Sequence, residues 1–111
     1  MSASEVIQKC EAAKAASVKL ASASGTQRND ALLAMADALE RRAAEVLAAN
    51  KVDMDAAEAA DTPAPLLDRL MLDAGRIEAI ADALRKLAKL EDPLGEVLEG
   101  RTLYNGIQLT R

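Results

Sequence analysis

The apolar residues along most of the chain recur three and four positions apart, which is the period of an amphipathic α-helix. In the first stretch this spacing builds an apolar face from Val6, Cys10, Ala13, Ser17 and Leu20. Ile7 and Val18 form an adjoining stripe, so the apolar surface is wider than one partner helix needs. The pattern predicts a helix over 3–22, followed by a break at Ser22–Gly25 in which Gly25 suits a left-handed turn.

A second apolar stripe predicts a helix over 27–49, capped by Thr26 and ending at Asn50. The residues on its apolar face are Leu32, Met35, Ala36, Leu39, Ala43, Val46 and Leu47. The run after Asn50, KVDMDAAEAAD, is a weaker signal and predicts a short helical stretch.

Two further helices are predicted. Thr62 and Pro63 have the pattern of a cap followed by a first-turn proline, which predicts a helix over 63–71. Asp73 is the expected cap of the last helix, 74–90. The apolar stripe of that helix consists of Ile77, Ile80, Ala81, Leu84, Leu87 and Ala88.

The helical pattern stops at two residues that do not continue it, Pro93 and Gly95. Val97-Leu98 and residues 107–110 have β character, and Asn105-Gly106 is a strong hairpin signal. Glu99-Gly100 offers a competing turn, so the strand register stays open. The predicted fold is mainly α, with amphipathic helices in 1–92 and a short β element in 93–111.

The composition indicates a thin core. Half of the 111 residues are apolar, but alanine and leucine dominate, with one Tyr and neither Phe nor Trp. Alanine favours helix formation and fills little space, so the helices should be strong while the packed interior stays small. A lone domain of this composition should be only marginally stable.

The charge pattern argues against nucleic-acid and membrane binding. The net charge is −4 and the pI about 4.8, whereas a phosphate backbone requires a basic stripe. The start of the chain lacks the pattern of a signal peptide, and charged residues interrupt every apolar stretch, which indicates a cytoplasmic protein. Two pairs spaced four apart, Asp37 with Arg41 and Asp82 with Lys86, predict ion pairs on exposed helix faces.

The residues that carry metal and thiol chemistry are scarce. The chain has no His and one cysteine, Cys10, which makes a zinc site and an internal disulfide implausible. Because Cys10 lies on the apolar stripe, it is predicted to be a buried structural residue. Asp53, Asp55 and Glu58 cluster acidic charge but lack the glycine and the spacing of a calcium loop, which favours a solvated surface.

One short run is close to a phosphate-binding loop. Residues 95–102 read GEVLEGRT, one residue away from the pattern G-x-x-x-x-G-K-[ST]. Arg101 stands where the loop needs lysine, and Glu96 and Glu99 would repel an anion. Chance similarity is the better interpretation.

The order of several segments carries a family resemblance. The segment DRLMLDAGRIEAIADALRKLAKLEDPLG (68–95) closely resembles the N-terminal part of γ-glutamyl phosphate reductase, a member of the aldehyde dehydrogenase superfamily. AAKAASVKLA (12–21), MADALE (35–40) and LAANKVDMDAA (47–57) continue the resemblance upstream, and LYNGIQLTR (103–111) continues it downstream. The resemblance covers nearly the whole chain.

The resemblance implies a role in L-proline biosynthesis. Enzymes of this family reduce γ-glutamyl phosphate to glutamate-5-semialdehyde with NADPH, on cofactor-binding and catalytic domains that lie beyond the segment matched here. It also implies that the N-terminal helices pack around the cofactor domain and that the strands join domains or subunits. The family's nucleophilic cysteine does not map onto Cys10. No catalytic, cofactor-binding or metal-binding residue is therefore expected in this chain.

Three interpretations stay open. The chain can be the leading, structural segment of a proline-biosynthetic reductase, which the β-like run up to Arg111 favours. It can instead be a free-standing helical scaffold or oligomerisation module. A weaker possibility is another aldehyde dehydrogenase or the reductase half of a bifunctional synthase. We expect the isolated chain to be inactive and to associate with itself or with the remainder of the enzyme.

Overall fold

The computed structural model describes residues 2–111 as five helices followed by a two-stranded antiparallel sheet. The elements are α1 (Ala3–Leu20), α2 (Gly25–Arg41), α3 (Ala43–Ala59), α4 (Ala64–Leu70), α5 (Ala74–Ala88), β1 (Gly100–Thr102) and β2 (Gln108–Thr110). This architecture confirms the predicted fold class.

Helix α1 stands apart from the other elements. Its N-terminus is capped by Ser2, whose side chain accepts from the Glu5 backbone N–H at 3.2 Å. None of its residues is buried, and it packs against no other described element. The described chain is accordingly elongated, with extents of 72 × 34 × 25 Å.

The start of α2 differs from the prediction. Ser24, not Thr26, is the cap: its side chain accepts from the Gln27 N–H at 3.1 Å, and the Gln27 side chain accepts from the Ser24 N–H at 2.9 Å. Gly25 takes no left-handed conformation and begins the helix. Its role is close approach, because a Cβ there would lie 2.8 Å from Asp92 Oδ2.

The single helix predicted over 27–49 is wrong. The helix breaks at Arg42, which has φ −103° and ψ 19°, and α3 restarts at Ala43. The expected end at Asn50 is also wrong, because α3 continues to Ala59. The short stretch predicted after Asn50 is therefore the second half of a full helix, which the alanine-rich sequence sustains.

Asn50 lies in the middle of α3, and its side chain forms hydrogen bonds with a segment that is distant in sequence. It is 8% exposed. Its Nδ2 donates to the Leu70 carbonyl at 2.9 Å, and its Oδ1 accepts from the Leu72 N–H at 2.9 Å. One side chain thus satisfies two backbone groups in the connection between α4 and α5.

Helices α4 and α5 begin differently. The predicted Thr62 cap is wrong, since Pro63 occupies the position before α4 and no side chain caps that helix. The predicted Asp73 cap is confirmed, because its carboxylate accepts from the Arg76 N–H at 2.7 Å. The Arg76 side chain in turn donates to the Asp68 carboxylate at 2.8 Å, which ties α5 to α4.

The core lies where α2 packs against α5. The buried apolar residues of the described chain are Ala36, Ile77 and Ala81, so the two helices meet at two small alanine side chains and one isoleucine. Arg85 spans the edge of this contact, with Nη2 2.9 Å from Asp37 and Nη1 2.7 Å from Glu40.

Arg85 also replaces the predicted ion pairs. It lies 3.5 Å from Asp82, so it contacts one member of each predicted pair. The pairs Asp37–Arg41 and Asp82–Lys86 are not formed. The Arg85 guanidinium has several N–H donors, so this one side chain can contact all three carboxylates.

The two strands form a hairpin around the predicted Asn105-Gly106 turn. Gly106 has φ 89°, and the ladder pairs Gly100 with Thr110, Arg101 with Leu109 and Thr102 with Gln108. The competing turn at Glu99-Gly100 is wrong, because Gly100 is the first strand residue. Val97-Leu98 lies before the strand, although the Leu98 N–H still donates to the Arg111 carbonyl at 2.6 Å.

Candidate functional site

A groove of about 600 Å³ opens beside the break between α2 and α3. The end of α2 and the start of α3 form the walls of the groove, and Leu72 lies at one side of it. Its lining residues are Met35, Ala38, Leu39, Arg42, Glu45, Val46, Ala49, Asn50, Asp53 and Leu72. Most of these side chains are apolar, so the groove is suited to aliphatic groups.

Charged residues lie at the edges of this groove. Arg42 and Glu45 form a two-point ion pair with N–O distances of 2.7 and 2.9 Å, and this hydrogen bonding lowers the pKa of the Glu45 carboxyl. Asp53 forms no ion pair with another residue in 2–111. Both polar atoms of the Asn50 amide are occupied by backbone groups. The groove therefore has apolar walls with the Arg42–Glu45 pair and Asp53 at its edges, and within residues 2–111 it holds no acid–base pair poised for catalysis.

The predicted burial of Cys10 is not observed. It is exposed to solvent on α1, because α1 packs against none of the other elements in residues 2–111. Neither a histidine nor a buried carboxylate is brought to the thiol. Its expected burial is therefore wrong, and its surroundings supply no base that would activate it.

The acidic residues of α3 form a solvated surface. Asp55 pairs with Lys51 at 3.2 Å, one turn away. Asp53 and Glu58 are exposed on the same helix. Within residues 2–111, no three His, Cys, Asp or Glu side chains are grouped so that they could hold a metal ion.

The GEVLEGRT run forms a turn and a strand. Gly95 has φ 81°, and Gly100 and Arg101 belong to β1. Within residues 2–111, the run leads into a strand and not into a helix whose N-terminus could point at a phosphate, as that loop requires. A shallow hollow of about 240 Å³ lies here between Glu99 and Arg111.

An ion pair holds the segment after α5 against the start of α2. Arg28 Nη2 lies 2.5 Å from Asp92 Oδ2, and Arg28 also donates to the Ala23 carbonyl. The Leu94 N–H donates to Asp92 at 2.9 Å. This backbone bond, followed by the Arg28 hydrogen bond, lowers the pKa of the Asp92 carboxyl.

Similarity to known proteins identifies the relatives of this chain. The chain is 48% identical over 101 residues to the gamma-glutamyl phosphate reductase of Proteus mirabilis, a match that covers 91% of the chain and 24% of that relative. It is 50% identical over 99 residues to the enzyme of the same name from Neisseria meningitidis serogroup C. The chain is homologous to γ-glutamyl phosphate reductases. It spans about a quarter of the length of these relatives. No family model matches the chain.

The fold agrees with this assignment. The crystal structure of gamma-glutamyl phosphate reductase from Thermotoga maritima superposes with a TM-score of 0.75 at 30% identity, over 80% of this chain and 22% of that one. The chain thus corresponds to the N-terminal part of the reductase fold. This confirms the family that the sequence segments predict. No helix in the part described is long and apolar enough to traverse a bilayer.

Three features of this chain cannot be predicted from the sequence. The groove depends on a helix break inside a continuous apolar stripe, which periodicity does not reveal. The Asn50 bridge spans 20 and 22 residues, and the Arg85 cluster spans 45 and 48. A lone Asn in an alanine-rich helix is a weak signal for such a bridge, because an interior Asn disfavours the helix unless its amide is used.

Proposed function

We propose that the chain is the N-terminal helical part of an NADPH-dependent γ-glutamyl phosphate reductase of L-proline biosynthesis, working in the cytoplasm. Its role is to support and pack against the part of the enzyme that holds cofactor and substrate. The observation that carries the proposal is the similarity along 91% of the chain to reductases of which it spans a quarter.

The arrangement of the elements supports a structural role. Both strands follow the last helix, so residues 2–111 do not build the strand–turn–helix unit that binds a dinucleotide phosphate. The single thiol is exposed on a helix without a nearby base. The reaction's nucleophile and nicotinamide site would therefore belong to the rest of the reductase.

A chimaera tests this role. In the Proteus mirabilis reductase, the matched quarter is replaced by this chain, and growth of a strain that lacks the reductase is followed without proline. We expect the chimaera to restore growth and the same enzyme without its first quarter to fail. In vitro, the chimaera should oxidise NADPH with γ-glutamyl phosphate, and the isolated chain should not.

Ile77→Asp in the chimaera is the matched variant, because it disrupts the α2–α5 core without touching substrate. It should abolish growth, whereas Glu58→Gln on the exposed face of α3 should not. Turnover of NADPH by the isolated chain, or a folded chimaera without activity, would contradict the proposal.

A free-standing association module is the second candidate. The observation that favours it is the exposed apolar face of α1, on which Ile7 is 56% and Val18 72% exposed. A chimaera that fails to restore growth, combined with stable self-association of the chain, would favour this alternative.

A further inference from the structure

Helix α1 and the hairpin both leave the packed helices at the same end of the molecule. Helix α1 joins the start of α2 through residues 21–24, and the hairpin follows the end of α5 through residues 89–99. Within residues 2–111, neither α1 nor the hairpin packs against any of the other elements. The Arg28–Asp92 pair joins the start of α2 to the segment after α5, so the two connections meet at this contact.

Arg28 contacts both connections with one guanidinium. Its Nη1 donates to the Ala23 carbonyl in the α1 connection, and its Nη2 lies 2.5 Å from Asp92 Oδ2 in the hairpin connection. The Arg28 and Asp92 side chains are 25% and 35% exposed, so solvent and salt screen this pair less than a fully exposed one. A planar guanidinium holds its two acceptors in a fixed relative geometry. The position of one connection is therefore linked to the position of the other.

Each connection is also held by local hydrogen bonds. In the first, the Ser22 side chain and the Ser22 N–H both donate to the Lys19 carbonyl, at 3.1 and 3.3 Å. In the second, Asp92 Oδ1 accepts from the Leu94 N–H at 2.9 Å. Because these bonds fix the backbone beside the groups that Arg28 contacts, a rotation of either connection changes the geometry at Arg28.

Gly25 provides the space for this contact. A Cβ at this position would lie 2.8 Å from Asp92 Oδ2, which is too close for two unbonded atoms. Since Oδ2 is the end of a movable side chain, Gly25→Ala would displace the carboxylate away from Arg28 and leave both charges in place.

We propose that Arg28, Asp92 and the Ala23 carbonyl form a clasp that couples the direction of α1 to the direction of the hairpin. While the clasp is closed, both segments project in fixed directions from the α2–α5 pair. A displacement of either segment opens the clasp and releases the other. The coupling is a property of the chain itself and does not depend on the proposed reductase role.

Two distances within single molecules test the coupling. Cys10 is the single cysteine and is exposed, so a spin label on it reports on α1 relative to a second label on Glu78→Cys, an exposed site of α5. For the hairpin, Tyr104→Cys is paired with Glu78→Cys in a Cys10→Ser background, since Tyr104 is fully exposed. Pulsed electron paramagnetic resonance measures both distance distributions, in labelled chain diluted with unlabelled chain so that only distances within one copy contribute.

The central variant is Asp92→Ala, because Asp92 lies in the hairpin connection and reaches the α1 connection through Arg28. We expect both distributions to broaden. The hairpin loses its contact with α2, and Arg28 loses the carboxylate that orients it towards the Ala23 carbonyl. Arg28→Ala should broaden both distributions as well, and the double variant should broaden them no further than either single one, because the two residues act as a unit.

Arg42→Ala is the matched control. It also removes an arginine–carboxylate pair, Arg42 with Glu45, but at the other end of α2, so both distributions should stay as narrow as in the wild-type chain. The amide resonances of Ile77 and Ala81 and the circular dichroism of each variant check that the α2–α5 core persists.

A broadening of the hairpin distribution alone in Asp92→Ala would overturn the coupling. So would wild-type distributions as broad as those of Arg28→Ala. Gly25→Ala repeats the test without removing a charge, and we expect the same broadening of both distances. Unchanged distances in Gly25→Ala, together with a shifted Leu94 amide resonance that shows a displaced Asp92, would likewise contradict the proposal.

Discussion

At the scale of single residues, Asn50 is the polar group on which the arrangement of α3, α4 and α5 depends. We predict that Asn50→Ala lowers the free energy of unfolding by about 1–3 kcal/mol, because the Leu70 carbonyl and the Leu72 N–H lose their partner in a partly buried place. Urea unfolding followed by circular dichroism measures this change. Gln8→Ala on the exposed α1 is the control and should shift the free energy by less than about 0.5 kcal/mol. Equal effects of the two substitutions would contradict the role given to Asn50.

Asp92 gives a pH-dependent contact between the segment after α5 and the start of α2. Its pKa is lowered from the ordinary value of 3.8 by the Leu94 N–H and by Arg28. Since the pKa in the folded chain is the lower one, the stabilisation is fully present above about pH 3.8 and is lost as the pH falls through the lowered value. We predict that the Leu94 amide resonance is constant at neutral pH and moves below that point.

The Leu94 resonance reports on this contact separately from Glu40 and Glu45, whose pKa values are also lowered, in each case mainly by an arginine hydrogen bond. Asp92→Asn should remove the transition at Leu94 and leave the transitions of the two glutamates. An unchanged Leu94 titration in that variant would show that another carboxyl controls the segment.

At the scale of elements, the α2–α5 contact depends on small side chains. Ala36 and Ala81 are both 0% exposed, so the two helices meet with little space between their backbones. We predict that Ala81→Leu costs about 1–3 kcal/mol through overpacking. Ala79→Leu, two residues away on the exposed side of α5, should be nearly neutral, and thermal unfolding of the two variants compares them directly. An Ala81→Leu variant with the same thermal unfolding temperature as the wild-type chain would mean that the interface has space for a larger side chain.

The elements also show what the sequence encodes locally and what it does not. The helices over α1 and α5, the Asp73 cap and the turn at Gly106 follow from residues close in sequence, and the structure confirms them. The break at Arg42 escapes prediction because the apolar stripe runs on across it.

Distant partners account for the remaining differences. Asp37 has Arg41 one turn away but binds Arg85, which lies 48 residues further on and reaches it only after α2 and α5 pack. Cys10 has a pattern typical of burial, but burial needs a partner surface that the sequence of α1 does not specify. The groove likewise depends on segments that are distant in sequence, so its lining cannot be predicted from local patterns. The family, in contrast, is recognisable from segments spread along the chain.

At the scale of the whole molecule, the described chain divides into a packed part and a helix without tertiary contacts. Isolated helices of this length are marginal in water, so α1 should open far more often than α5. We predict that amides of α1 exchange with deuterium near their intrinsic rates at low micromolar concentration, while those around Ile77 and Ala81 are protected. Mass spectrometry of peptides from the two helices measures the difference. Equal protection of α1 in a sample that light scattering shows to be monomeric would mean that α1 packs on its own chain.

The projecting α1 also increases the apparent size of the molecule in hydrodynamic measurements and in gel filtration. The radius of gyration is 20.9 Å, whereas a compact chain of this length has a value of roughly 13 Å. Such a particle experiences more friction than a sphere of equal mass, so it elutes early from a gel-filtration column. A single copy can therefore pass for a pair when its retention is compared with globular standards. The number of subunits therefore has to be determined from the molecular mass, because the hydrodynamic size of this chain depends on how far α1 projects.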